Sequence, residues 1–174
     1  NADLSNADLS GANIIDTIFH YADLSGADLT STHVQYAKFY YTDLSEVILS
    51  DRERSNLAGI ELSFSDISNT NLGFAHFRDA VLIHVDFTDA DLHRADFTYA
   101  DLSYADLRDA DLRDAKLYGA KLQYADFRDA DLRGARLSGA FITYTDFRIA
   151  NLTDAKMMDL KNETGYGADF RNAD

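Results

Sequence analysis

No cysteine and no proline occur anywhere in this chain. Without cysteine there are no disulfides and no thiol chemistry, and the redox state of the compartment leaves no mark on the sequence. Without proline every backbone N–H remains a donor, which suits a chain built into hydrogen-bonded ladders throughout. No apolar run approaches the ~20 residues of a membrane span, and no signal-peptide pattern is present. Positive charge is the minority: 16 Lys and Arg stand against 30 Asp and Glu, a net charge of −14. Such a surface stays soluble and disfavours DNA phosphates and anionic membranes. At 46% hydrophobic, the 174 residues hold enough apolar material for one domain with a substantial core, which excludes a disordered acidic tail.

What is present is a five-residue repeat. Bulky apolar residues fall every fifth position from Leu4 to Leu49 and again from Leu57 to Met157, ten and then twenty-one centres without exception. Two residues before each centre sits a small residue, usually Ala (Ala90 through Ala140) and sometimes Thr (Thr17, Thr42, Thr145). Between the two lies Asp or Asn most often. A helix at 3.6 residues per turn would scatter these centres around its circumference. A straight strand would flip each successive centre to the opposite face. The conflict disappears if the chain turns a corner in every pentad, so that the small residue and the centre both point inward from one short wall.

A chain that turns corners in one sense is a coil with parallel ladders between its turns. Among outward Arg, centre Phe and corner Tyr residues, separations of 20 match nine pairs, such as Arg108–Arg128 and Tyr104–Tyr124, against three at 15. Four walls per turn are therefore favoured over three. Right-handedness follows by analogy with parallel crossovers. The expected fold is an all-β, right-handed quadrilateral parallel β-helix. It is a solenoid of four pentapeptides per coil and about eight coils, roughly 40 Å long by strand spacing.

These residues resemble the pentapeptide-repeat family, whose motif is A(D/N)LXX. The resemblance covers about residues 1–49 and 55–157, and fits loosely over 60–85, where Ile60, Val85 and Thr70 replace Ala. It implies the same quadrilateral β-helix. Some members are acidic dimeric rods that bind DNA gyrase or topoisomerase IV and confer fluoroquinolone resistance. The family is abundant in cyanobacteria, in cytoplasmic and exported forms. Asn1 already lies inside a repeat, which fits both a cytoplasmic rod and one exported to a periplasm or thylakoid lumen with its N-terminal signal removed.

The whole of 1–174 reads as one domain with two breaks. Leu49 to Leu57 spans eight residues, five plus three, which places a phase-breaking insertion at 50–56. Its residues Asp51, Arg52, Glu53 and Arg54 are a candidate interaction loop, since loops on rigid scaffolds carry function. A tolerated insertion, or a short helical turn from Ser45 onward, would read the same. After Met157 the pentad is lost, and 158–174 is expected to cap the end of the rod. Met157, Met158 and Leu160 would form a lid there, with a homodimer through that end as the second expectation.

The sites weigh as follows. Of the 30 acidic residues, 16 occupy the motif's Asp position, so much of the net charge is a by-product of the repeat. Asp86, Asp106, Asp126 and Asp146 form one ladder of like charge, and Arg108, Arg128 and Arg148 stand two residues on along the same wall, where they relieve the repulsion. Phe64, His84, Tyr104, Tyr124 and Tyr144 run along one corner at 20-residue steps. They stack to stiffen the rod, or form an adhesive stripe. Calcium is disfavoured because the nine glycines are scattered rather than set in a tight loop. The five histidines share no ligand spacing, and phosphate loops and dinucleotide fingerprints are missing. No catalytic residue, cofactor or metal is therefore expected. The expectation is a non-catalytic rigid scaffold for an unknown protein partner, without direct nucleic-acid or membrane binding, and the alternative is an acidic DNA mimic directed at gyrase or topoisomerase.

Overall fold

The computed structural model describes residues 2–49, 56–162 and 165–174. Each pentad makes one turn, in most cases closed by a hydrogen bond from the following small residue's N–H to the centre's carbonyl, as in Ala105 N to Leu102 O at 3.0 Å. The third turn residue is left-handed, for example Tyr104 at φ 61° and Asp109 at φ 60°, the geometry that lets a turn bend sharply. One residue per wall pairs in parallel with its counterpart a coil away, as Asp106 does with both Asp86 and Asp126. The coil thus has four walls, each a single bridged residue wide.

Wall 1 carries the centres Leu4, Leu24, Leu44, Ile67, Phe87, Leu107, Phe127, Phe147 and Phe170. Wall 2 follows from Leu9, wall 3 from Ile14 and wall 4 from Phe19. Centres and small residues fill the interior: from Ala75 to Ala140 every Ala, Leu and Phe at these positions is at most 1% exposed. Phenylalanines stack along the walls, Phe77 on Phe97 at 4.9 Å and Phe127 on Phe147 at 5.0 Å, and Phe87 meets Phe77 and Phe97 edge-on. Where Thr replaces the small Ala, its hydroxyl donates to a backbone carbonyl, Thr42 to Phe19 O at 2.6 Å and Thr145 to Leu122 O at 2.7 Å. A buried hydroxyl left unpaired would cost about 1–3 kcal/mol.

Both breaks are register steps. Across the first, Lys38 pairs with Glu61 and Asp43 with Asp66, 23 residues on instead of 20, and both walls continue. Near the C-terminus Asp146 pairs with Asp169, the same step of 23. The pentad is not lost directly after Met157 as expected: Lys156 pairs with Arg136 and Lys161 with Phe141, so the ladders hold the pentad geometry through this segment. Residues 168–174 then resume walls 1 and 2. Phe170 stacks on Phe147 at 5.0 Å, and Leu152 N donates to Asp174 O at 2.9 Å. Met157 and Leu160 are partly buried against the core end, whereas Met158 is 67% exposed.

Candidate functional surface

With the interior packed, chemistry is left to the outside of the rod. The interior retains an apolar void of about 10 Å³ between residues such as Phe39, Leu44 and Leu62, the size of one water-sized probe and too dry to hold one. Among the described residues no group of His, Asp or Glu is placed to hold a metal ion, and no helix is long and apolar enough to cross a membrane. An open depression of about 360 Å³ lies near the corner between walls 2 and 3; two of the three Lys and Arg residues that line it are engaged with acids, Arg94 with Asp114 at 3.6 Å and Lys116 with Asp96 at 3.3 Å, and Arg136 is the third.

Wall 1 carries a column of nine aspartates, from Asp3 through Asp23, Asp43, Asp66, Asp86, Asp106, Asp126 and Asp146 to Asp169, bridged neighbour to neighbour over the full rod. The column has two halves. In the first, each carboxylate accepts a backbone N–H two residues on, and mostly a hydroxyl as well: Ser25 Oγ to Asp23 at 2.6 Å, Ser45 Oγ to Asp43 at 2.6 Å, Thr88 Oγ1 to Asp86 at 2.6 Å. Asp66 has the Ser68 N–H at 2.9 Å. In the second half the same place is held by arginine. Arg108, Arg128, Arg148 and Arg171 clamp Asp106, Asp126, Asp146 and Asp169 with both Nε and Nη2. Each of the first three also reaches the next aspartate, Arg108 Nε to Asp126 at 3.9 Å, Arg128 Nε to Asp146 at 3.8 Å and Arg148 Nε to Asp169 at 3.8 Å. The result is a zigzag of alternating charge. The Arg148 guanidinium beside Asp146 holds its carboxyl below the usual aspartate range, as Arg133 does for Asp131. For Asp106 desolvation pulls upward, and the hydrogen bonds from Arg108 outweigh it.

The aromatic column is longer than the five residues seen in sequence. Tyr21, Tyr41, Phe64, His84, Tyr104, Tyr124, Tyr144 and Tyr166 stack face to face along the corner between walls 4 and 1, at centroid spacings of 4.7–5.1 Å. Its tyrosines and Phe64 remain 40–63% exposed at their edges. Tyr21 and Tyr41 are one of the nine pairs matched at 20 residues, but the step of 23 from Tyr41 to Phe64 separates them from the stripe in the sequence, and Tyr166 lies 22 beyond Tyr144. The structure therefore brings the predicted Asp, Arg and Tyr columns onto one side of the rod, with the stripe at the corner and wall 1 beside it. Asp51, Arg52, Glu53 and Arg54 lie outside the described residues.

The family model for pentapeptide repeats matches eight copies, at residues 1–34, 75–114 and 115–154. No curated protein matches. Among solved structures, the chain is similar to QnrB1, a plasmid-mediated fluoroquinolone resistance protein, at 21% identity and TM-score 0.45, covering 99% of this chain and 88% of that one. It is also similar to HetL of the cyanobacterium Nostoc sp. strain PCC 7120, involved in heterocyst differentiation regulation, at 24% identity, TM-score 0.33 and coverages of 97% and 88%. A third is the pentapeptide-repeat protein alr5209 of Nostoc PCC 7120, at 35% identity and TM-score 0.28 over 54% of this chain and 74% of that one. With the repeat matched over most of its length, this chain belongs to the pentapeptide-repeat family, and its four-walled coil is a right-handed quadrilateral parallel β-helix.

Proposed function

We propose that this protein is a non-catalytic rigid rod that serves as a scaffold for protein–protein interaction. The observation that carries this reading is the contrast between a filled interior, with a void of about 10 Å³, and exposed columns that run the length of the exterior. Catalysis needs a nucleophile, a base and an orienting group converging on a pocket. A scaffold needs stiffness and a patterned surface, and stacked coils supply both. The charged segment 50–56 belongs to this proposal on sequence grounds, as a contact loop at the phase break. The C-terminal end, where Phe170 is 38% exposed, is where a second copy would dock. The test is affinity capture from the source cell with the wild type and with a chain shortened across 50–56, together with a broad turnover screen. The expected outcome is a defined partner retained by the wild type and weakened in the shortened chain. Turnover of any substrate that a point mutation abolishes would overturn the reading.

One observation favours a second reading, an acidic DNA mimic directed at gyrase or topoisomerase. Residues 115–174 hold nine Lys and Arg against nine Asp and Glu, so the whole net charge of −14 resides in residues 1–114. That segment contains the half of the Asp column whose carboxylates are held, among the described residues, by hydroxyls and backbone N–H groups rather than by arginine. A supercoiling assay decides it: absence of inhibition or protection at micromolar protein removes the mimic and leaves the scaffold.

A further inference from the structure

The aromatic stripe asks for an explanation that the fold does not supply. Its residues from Tyr21 to Tyr144 sit at left-handed φ of 53–62°, a region costly for bulky side chains. The same turn position at the other corners is held by Asp89, Asp109, Asp129 or glycine as well as by single rings such as Tyr36, Phe74 and Tyr99, so the turn itself does not require an aromatic, and among the described residues rings follow one another coil after coil only at this corner. Stacking offsets part of the cost, about 0.5–1.5 kcal/mol per pair. It also immobilises the rings before any partner arrives, which removes an ordering penalty that binding surfaces ordinarily carry. Rigid, amphipathic tyrosine edges are what protein-binding surfaces favour.

Two further features define what would lie on this stripe. The hydroxyls of Tyr21, Tyr41, Tyr104, Tyr124 and Tyr144 have no hydrogen-bond partner among the described residues, so the stripe presents a row of donors that want acceptors. Beside its first half stand Asp23, Asp43, Asp66 and Asp86, held by hydroxyls and N–H groups rather than by arginine. Beside its second half the carboxylates are already neutralised by Arg108, Arg128 and Arg148. A ligand seated here should offer free carbonyls along its length and positive charge at one end. A helix has its carbonyls occupied internally. A polyproline-II segment has none occupied and advances ~9.3 Å per three residues, close to the ~9.6 Å of two coils at strand spacing. A β-strand repeats its face at ~6.6 Å, out of step with the coils.

We propose that the corner between walls 4 and 1 docks an extended polyproline-II segment of a partner protein. The segment carries Lys or Arg at every third residue, so that its cations fall at every second coil, one beside the Asp23/Asp43 pair and the next beside the Asp66/Asp86 pair. The inference rests on the scaffold reading and names the partner's chemistry. Tyrosine edges grip the backbone through their hydroxyls, and the half-free Asp column fixes which end of the segment lies where.

The test titrates the full chain with three synthetic peptides, repeats of Lys-Pro-Pro, Glu-Pro-Pro and Lys-Gly-Gly, by fluorescence anisotropy. Lys-Pro-Pro is expected to bind about tenfold more tightly than either control, a difference of about 1.4 kcal/mol. Tyr21→Asn with Tyr41→Asn should weaken it at least fivefold, and asparagine tolerates the left-handed turn, so the fold is retained. Asp23→Asn with Asp43→Asn should weaken it and flatten its salt dependence. Tyr99→Asn, at the corner between walls 3 and 4 and 62% exposed, should leave it unchanged, and thermal melting checks that each variant is folded. Equal binding of Lys-Pro-Pro and Lys-Gly-Gly, equal loss in the Tyr99 variant, or no binding at millimolar peptide overturns the inference. A native partner captured equally well by the Tyr21/Tyr41 variant would leave the scaffold standing and remove the stripe as its site.

Discussion

At the scale of the residue, the repeat is a statement about volume. Four walls converge on one interior, and Leu or Phe from each fills most of it, so the position two residues earlier has room for little beyond a methyl group. Ala130 shows this: it is 1% exposed, with Phe127 and Leu132, both 0% exposed, on either side in sequence. Protein interiors are packed to crystal density, and added methylenes force rotamer and backbone shifts. Ala130→Leu is therefore expected to lower unfolding free energy by about 1–3 kcal/mol, read as a reduced denaturation midpoint. An unchanged midpoint would mean that the small position is not a packing constraint. The same reasoning explains the corner glycines where they occur beside rings: a Cβ on Gly119, already at φ 61°, would lie 2.7 Å from the Tyr99 ring.

At the scale of the element, the unit is the column. Arg113, Arg133 and Arg148 hold Asp111, Asp131 and Asp146 below the ordinary aspartate range, chiefly by donating hydrogen bonds to the charged form. A carboxyl whose folded pKa is depressed contributes stability above its unfolded pKa near 3.8, and that contribution is lost as pH falls through the lower folded value. Replacing the three arginines by glutamine should lower stability slightly at pH 7, since exposed pairs are each worth little. Once the pH is low enough to protonate these carboxylates in the fold, the difference from wild type should vanish. Melting curves at both pH values check this, and an equal gap at both would show that the arginines act by packing. Columns were also what the sequence displayed best. Same-type matches at 20-residue steps gave four walls, the Asp/Arg alternation and the middle of the aromatic stripe. What escaped was whatever crossed a register step. Asp43 to Asp66 and Tyr41 to Phe64 are 23 apart, so the nine-residue Asp column stayed hidden and the first two rings stayed separate from the stripe. The C-terminal step from Asn162 to Phe170 repeats the eight-residue spacing of Leu49 to Leu57, but a single pentad follows it, too few to establish a phase.

At the scale of the whole molecule, the rod is polar along its axis. Residues 1–114 hold 21 acidic and seven basic residues, whereas 115–174 are balanced. The packing is graded too: Leu4, Leu9 and Phe19 are only partly buried against the core, while Leu102 through Leu137 are fully buried. In a stacked-coil protein each coil is held by its neighbours, so opening starts where contacts and charge balance are poorest. Amides of Leu4, Leu9 and Ile14 are therefore expected to exchange with solvent faster than those of Leu107, Leu117 and Phe127, by a factor of at least ~10³. Salt separates the two halves further, because it screens repulsion in one and attraction in the other. Raising sodium chloride from about 10 to 200 mM, which shortens the screening length severalfold, should slow exchange from Asp23 to Asp86, where like charges stack without arginine. From Asp106 to Asp146, where each carboxylate sits in the arginine zigzag, exchange should hold steady or quicken slightly. Opposite responses in two halves of one continuous coil would show that charge, not core packing alone, sets where the rod opens, and a uniform response along its length would refute it.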